Sequence, residues 1–124
     1  MGKLILEEES YKIIGIAMDV HRILGPGFPE NVYKDALAYE FKCSTIEFDK
    51  EKSFLIRYKD IILPRRYPAD FVVFGSIILE IKAKPSIIEG HFAQTLNYLK
   101  VSEMRVALLI NFGELSLRYK RFII

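Results

Sequence analysis

The stretch ADFVVFGSIILEIKAK, residues 69 to 84, places Asp70, Glu80 and Lys82 inside two apolar runs joined at Gly75-Ser76. An unpaired charge among apolar neighbours is costly, so these three need compensation. Side chains alternate along a strand, which puts Glu80 and Lys82 on one face and Leu79 and Ile81 on the other. Register decides where Asp70 falls. A two-residue turn sets Asp70 opposite Ile81 and away from Glu80; a three-residue connection or a bulge shifts the pairing by one and gathers all three polar groups. Two neighbouring carboxylates repel unless a cation lies between them or one is protonated, and hard oxygen donors of this kind suit Mg²⁺ or Mn²⁺. A lysine two residues beyond the second carboxylate would then hold a water or stabilise charge developing on a phosphate. The other reading of the same residues is an ion pair of Lys82 with Glu80 or Asp70 on the wet face of a half-buried sheet.

The elements that must position these groups follow from periodicity. Ile13, Ile16, Ala17, Val20, Ile23 and Leu24 recur at helical spacing until Gly25-Pro26-Gly27, which predicts a first helix over about 10 to 24. A second helix is expected to start near Pro29, with Val32, Tyr33, Ala36, Leu37 and Phe41 as its apolar stripe. From residue 46 the period becomes that of strands, and turn residues at Lys59-Asp60 and Gly75-Ser76 divide a three-stranded antiparallel meander. Pro64 and Pro68 withhold ladder donors, so the middle strand is expected to bend, bulge or lose pairing near them. Ile88, Phe92, Leu96 and Leu99 predict a third helix with these residues as its core stripe, and RVALLINF and LSLRYKRFII predict two last strands. The order ααβββαββ predicts an α+β domain, helices packed on a mainly antiparallel sheet.

At 124 residues the chain reads as one domain, 1 to 124, because two would each lack the interior for a stable core. With 51% hydrophobic and 27% charged residues it is far from the composition of disordered chains. Cys43 is the only cysteine, which leaves no internal disulfide and predicts a small buried residue. His21 lies on the apolar side of the first helix and is expected to pack there, hydrogen-bonded. One cysteine and two histidines offer no zinc spacing, and neither a P-loop nor a dinucleotide fingerprint occurs. The opening MGKLILEEESYK has too short an apolar run for a signal peptide and no membrane-length run follows, so a cytoplasmic location without membrane contact is expected. The net charge of +2 is unevenly spread: acids dominate 7 to 51, whereas Arg57, Lys59, Arg65, Arg66, Lys82, Lys84, Arg118, Lys120 and Arg121 fall in the strand-rich remainder. That is either a solvated face or a basic surface for phosphates.

Three separated stretches carry a family resemblance. LGPGFPENVYKDAL, residues 24 to 37, contains Gly27-x-x-Glu30-x-x-Tyr33, EIKAK follows Asp70, and HFAQTLNYLKVSEMRVALLINFGELSLRYKRFI completes the chain. In this order they resemble the GxxExxY family, a branch of the PD-(D/E)XK nuclease superfamily. The resemblance implies a restriction-endonuclease-like core, a divalent metal bound by Asp70 and Glu80, and Lys82 assisting the attacking water. The proline of the family's PD pair is offset, since Ala69 separates Pro68 from Asp70. Glu30 matches the family's own glutamate and would support the metal; by position alone it would favour the helix dipole, with Lys34 four residues on. Gln94 and Tyr98 match the Q-x-x-x-Y motif of RecB-like members, and His91 extends the same helix face by a turn.

The function this implies is a Mg²⁺- or Mn²⁺-dependent deoxyribonuclease. Asp70, Glu80, the Ile81 carbonyl and Glu30 would hold the ion. Lys82 and Gln94 would join the carboxylates in catalysis, and Arg57, Arg65, Arg66, Lys84, Tyr98 and His91 would meet DNA, with RNA left open. A symmetric homodimer would supply two sites for two strands, and the apolar end RFII would belong either to its interface or to the core. The rival reading is a nucleic-acid or protein interaction module that keeps the nuclease fold without turnover.

Overall fold

Glu7, Glu8 and Glu9 fill the first turn of α1 (Glu7–Leu24), where negative charge complements the helix dipole, and the helix starts a turn earlier than its apolar spacing predicts. Gly25 ends it by donating its N–H to the His21 carbonyl at 2.7 Å. The computed structural model describes residues 5–124, so the first four residues of the MGKLILEEESYK stretch lie outside the described residues. After α1 come α2 (Glu30–Cys43), β1 (Phe48–Tyr58), β2 (Ile61–Val73), β3 (Ile77–Lys82), α3 (Glu89–Ser102), β4 (Val106–Asn111) and β5 (Arg118–Ile123). This is the expected ααβββαββ order. The five strands form one sheet in chain order, parallel only between β3 and β4, which α3 connects.

Both faces of the sheet are covered. Ile77, Leu79 and Ile81 of β3 pack with Val106, Leu108 and Ile110 of β4 against Ile13, Ala17, Tyr33, Leu37 and Phe41 of α1 and α2. The alternate residues Ile78, Ala107 and Leu109 pack on the other face with Leu99 of α3. A central strand covered on both sides reads as a continuous apolar run, which is why VALLIN is buried at every position. His21 packs as expected, its Nε2 at 2.8 Å from the Glu114 carbonyl. Cys43 does not: it is exposed, because it stands two residues, about half a helical turn, past Phe41, the last buried residue of α2. Among the described residues no helix is long and apolar enough to cross a membrane.

The first two strands outrun the sheet. β2 pairs with β3 only over Phe71–Val73, but with β1 all the way to Ile61, so the remainder projects as a two-stranded arm. Leu55 pairs with Arg66 and Arg57 with Ile62, which leaves Ile56 facing Leu63, Pro64 and Arg65. The expected bulge therefore sits at Pro64. Pro68 instead stays in the ladder, opposite Ser53.

Candidate active site

The hairpin has the register the carboxylates need. Phe71 pairs with Leu79 and Val73 with Ile77, so the connection is three residues, Phe74, Gly75 and Ser76, and the same register sets Asp70 against Glu80. Phe74 and Gly75 both take the left-handed conformation, at φ 58 and 65°. Asp70 also marks a second irregularity. Ala69 packs in the α3-side core and Phe71 in the core under α1 and α2, although residues two apart on a regular strand share a face. Across from it Glu51, at φ 57°, drops out of the ladder between the Lys50–Phe71 and Lys52–Ala69 pairs. The arm thus turns over at Asp70. There the β2–β3 ladder has ended, and Asp70 Oδ2 accepts the Ile81 N–H at 2.7 Å.

Glu80 is only 6% exposed. Its Oε2 accepts the Tyr67 hydroxyl at 2.8 Å and the Asp70 N–H at 3.3 Å. Burial, then the charge of Asp70, push its pKa up to about 7 against the opposing hydrogen bonds and Lys82. Asp70 Oδ1 accepts a hydrogen bond from Lys34 Nζ at 3.1 Å, and the same ammonium lies 3.6 Å from Glu51. Burial opposes the charge on Lys34, but the hydrogen bond and charge of Asp70 outweigh it and hold the pKa above the usual lysine value. Lys34 and Tyr67 are the residues sequence reasoning missed. The available signals were weak: Lys34 shares a helix face with Glu30, and Tyr67 is a polar-tipped aromatic in an apolar run, a type that needs a partner when buried.

The G-x-x-E-x-x-Y spacing has a local physical basis. Gly27 has φ 112°, which residues with a Cβ rarely adopt. Tyr33 is fully buried; its hydroxyl donates to the Gly25 carbonyl at 2.5 Å and accepts the Phe28 N–H at 3.2 Å, and its ring stacks on Phe112 at 4.6 Å. The two outer residues therefore shape the loop that launches α2, and Glu30 between them turns toward the hairpin. Burial and then Asp70 raise the Glu30 pKa, while Lys82, Lys34 and Lys84 lower it. Tyr33→Phe keeps the ring stack but leaves two backbone groups without their partner, and is expected to cost about 1–3 kcal/mol in urea unfolding.

On α3 the three polar residues have different surroundings. Tyr98 stacks on Tyr67 with centroids 3.7 Å apart, and burial followed by the charges of Glu80 and Asp70 raises its pKa. His91 accepts the Ile88 N–H on Nδ1 at 3.1 Å, and burial, then Lys82 and Lys84, hold its pKa below the usual histidine value. Gln94 is exposed between them. The core stripe of α3 is Thr95 and Leu99, with Phe92 and Leu96 only half-buried, a rotation from the expected stripe. Thr95 tolerates burial because its hydroxyl bonds to the His91 carbonyl at 2.9 Å. Arg57, Arg65 and Arg66 are exposed on the arm, beyond the β2–β3 ladder. Lys84 is exposed just past β3, and its backbone N–H and carbonyl both bond to the Asn111 side chain at 2.9 Å. Gly113 permits this approach, since a Cβ there would meet the Lys84 carbonyl oxygen at 2.2 Å.

Among the described residues no three His, Cys, Asp or Glu side chains converge closely enough to hold a metal. The expected set of Asp70, Glu80 and Glu30 is thus not assembled as direct ligands: Lys34, one turn after Glu30, reaches Asp70 instead. A family model of the PD-(D/E)XK nuclease superfamily matches residues 7–122. The chain belongs to the PD-(D/E)XK nuclease superfamily. The crystal structure of SSO0001 shares the fold, with a TM-score of 0.61 over 95% of this chain at 19% identity, and the chain spans 59% of that protein. A search of curated proteins found no match. PD-(D/E)XK nucleases generally use divalent metals. The Asp70–Glu80 pair fits such an ion by its chemistry: both donors are hard oxygens, and burial with mutual repulsion leaves Glu80 short of positive charge.

Proposed function

We propose that this PD-(D/E)XK protein is a divalent-metal-dependent nuclease of the GxxExxY branch that hydrolyses DNA phosphodiester bonds. The observation that carries the reading is the three-residue hairpin connection, which sets Asp70 against Glu80 with Lys82 on the Glu80 face. Asp70, Glu80 and the Ile81 carbonyl would hold Mg²⁺ or Mn²⁺, which supplies Lewis acidity and neutralises phosphate charge. Lys82 positions the attacking water and faces the charge that develops on the phosphate. Glu30 and Gln94 act from the outside, on solvent and on the orientation of the carboxylates. Arg57, Arg65 and Arg66 on the arm hold the DNA backbone, with Lys84, His91 and Tyr98 nearer the hairpin. A homodimer would supply the second site for a second strand; Phe122 is buried in the core while Ile123 and Ile124 remain exposed for such a contact.

One observation favours the silent interaction module: Lys34 and Tyr67 already satisfy the two carboxylates. Calorimetric titration of Mn²⁺ into the wild type and Glu80→Ala, followed by incubation with a mixed set of labelled DNA structures, separates the readings. The nuclease binds Mn²⁺ and cuts, and Glu80→Ala does neither. Absence of Mn²⁺ binding by the wild type would favour the module; binding without cutting would mean that the substrate or a partner is still missing from the set.

A further inference from the structure

We propose that Lys34 is an internal cation of this site: its ammonium holds Asp70 in the metal-free protein, competes with the divalent ion for that carboxylate, and thereby sets metal affinity. This rests on the nuclease reading of Asp70 and Glu80. The Lys34 side chain is 8% exposed, an uncommon state for a lysine, and it is met by carboxylates from two strands, Asp70 at 3.1 Å and Glu51 at 3.6 Å. Glu51 reaches this position with φ 57°, a backbone conformation unfavourable for a side-chain-bearing residue, at a point opposite Asp70 where β1 leaves its ladder. Strain of this kind persists only where its surroundings hold it, and here the ladder pairs on either side and the ammonium shared by the two carboxylates do so.

A divalent ion on Asp70 would face the ammonium at close range, and like charges a few ångströms apart repel strongly in a partly buried site. The ion must therefore displace Lys34 or bind more weakly beside it. Displacement has an outlet. Glu51, 62% exposed, is already within reach, and Glu30 lies one helical turn back on the same face and is felt electrostatically by Lys34. Lys34 can exchange Asp70 for these two carboxylates without losing its charge partner. Its role is that of a positioning residue acting through Asp70.

The test is calorimetric titration of Mn²⁺ into the wild type, Lys34→Met and Lys34→Arg, with thermal melts of each in chelator and in Mn²⁺. Lys34→Met is expected to bind Mn²⁺ at least about tenfold more tightly, because the competing charge is gone. It should also melt lower than the wild type in chelator and gain more on adding Mn²⁺. Lys34→Arg, which keeps the charge, should stay close to the wild-type affinity. Should Lys34→Met fail to fold, Lys34→Gln provides a neutral variant that still donates to Asp70, with the same expected direction. A folded neutral variant whose Mn²⁺ affinity is equal to or weaker than the wild type overturns the proposal while leaving the nuclease reading intact. A silent wild type beside a neutral variant that binds supports the role of Lys34 and removes metal-dependent activity from the wild type. No binding in any variant overturns both.

Discussion

Glu80→Gln is expected to stabilise the metal-free protein by about 3 kcal/mol at pH 8.5 and to leave its stability nearly unchanged near pH 4. The glutamate pKa rises from 4.5 to about 7 on folding, because burial and the neighbouring Asp70 disfavour the charged form. The folded state therefore holds this proton more tightly than the unfolded state does. The associated stability is fully present below pH 4.5 and is lost as pH rises through about 7. A glutamine keeps an oxygen for the Tyr67 hydroxyl and the Asp70 N–H while carrying no charge, so the loss disappears in the variant. Urea unfolding in chelator across this pH range measures the difference between the two proteins, which isolates Glu80 from the other titrating groups. Adding Mn²⁺ at pH 8.5 should restore much of the wild-type stability and do little for Glu80→Gln. Parallel pH profiles for the two proteins would mean that Glu80 ionises in water and is not the buried half of a metal pair.

Lys82→Ala is expected to lower the single-turnover cleavage rate about 10²–10³-fold at saturating DNA and Mn²⁺, with Mn²⁺ affinity unchanged or improved. Lys82 follows Glu80 by two residues on one strand, and its charge is felt by Glu80, Glu30 and His91, which come from three different elements. An ammonium at that convergence acts on charge that develops in the transition state, so its loss falls on the chemical step. The alanine variant also removes a charge that lowers the Glu80 pKa, which pushes Glu80 further up and moves the acid-side fall of activity to higher pH. Lys82→Arg retains the charge on a wider, planar group and should recover DNA binding more than rate. An unchanged single-turnover rate in Lys82→Ala would place the ammonium away from the reacting phosphate and leave it a surface charge.

Much of this architecture was legible from local patterns. The apolar spacing of α1 and α2 reports which side of each helix faces the core, and Ile13, Ala17, Val20, Tyr33, Leu37 and Phe41 are buried there, while the change of period after residue 46 and the turn at Lys59-Asp60 mark the strands and the boundary between two of them. Local pattern failed where a polar group found a distant partner. Thr95 entered the α3 core stripe because its hydroxyl had a backbone acceptor, and Cys43 left the interior because helix rotation outweighs residue preference.

The hairpin shows the same division at the site. Alternation along IILEIK by itself put Glu80 and Lys82 on one face, since that depends only on the pleat. Its place inside an apolar run likewise singled out Asp70, and the GxxExxY resemblance singled out Glu30 at the start of α2. Whether Asp70 joined Glu80 depended on a choice of one residue in the connection. The folded chain makes that choice with Phe74 and Gly75 in left-handed conformations and turns the arm over at Asp70. Lys34 and Tyr67, 36 and 13 residues from the carboxylates they bond, were invisible for the same reason. Side-chain periodicity is a property of one element, whereas register and long-range charge pairing are set by how separate elements pack. Only the tertiary structure brings an ammonium from α2, a hydroxyl from the arm and two carboxylates from the hairpin together.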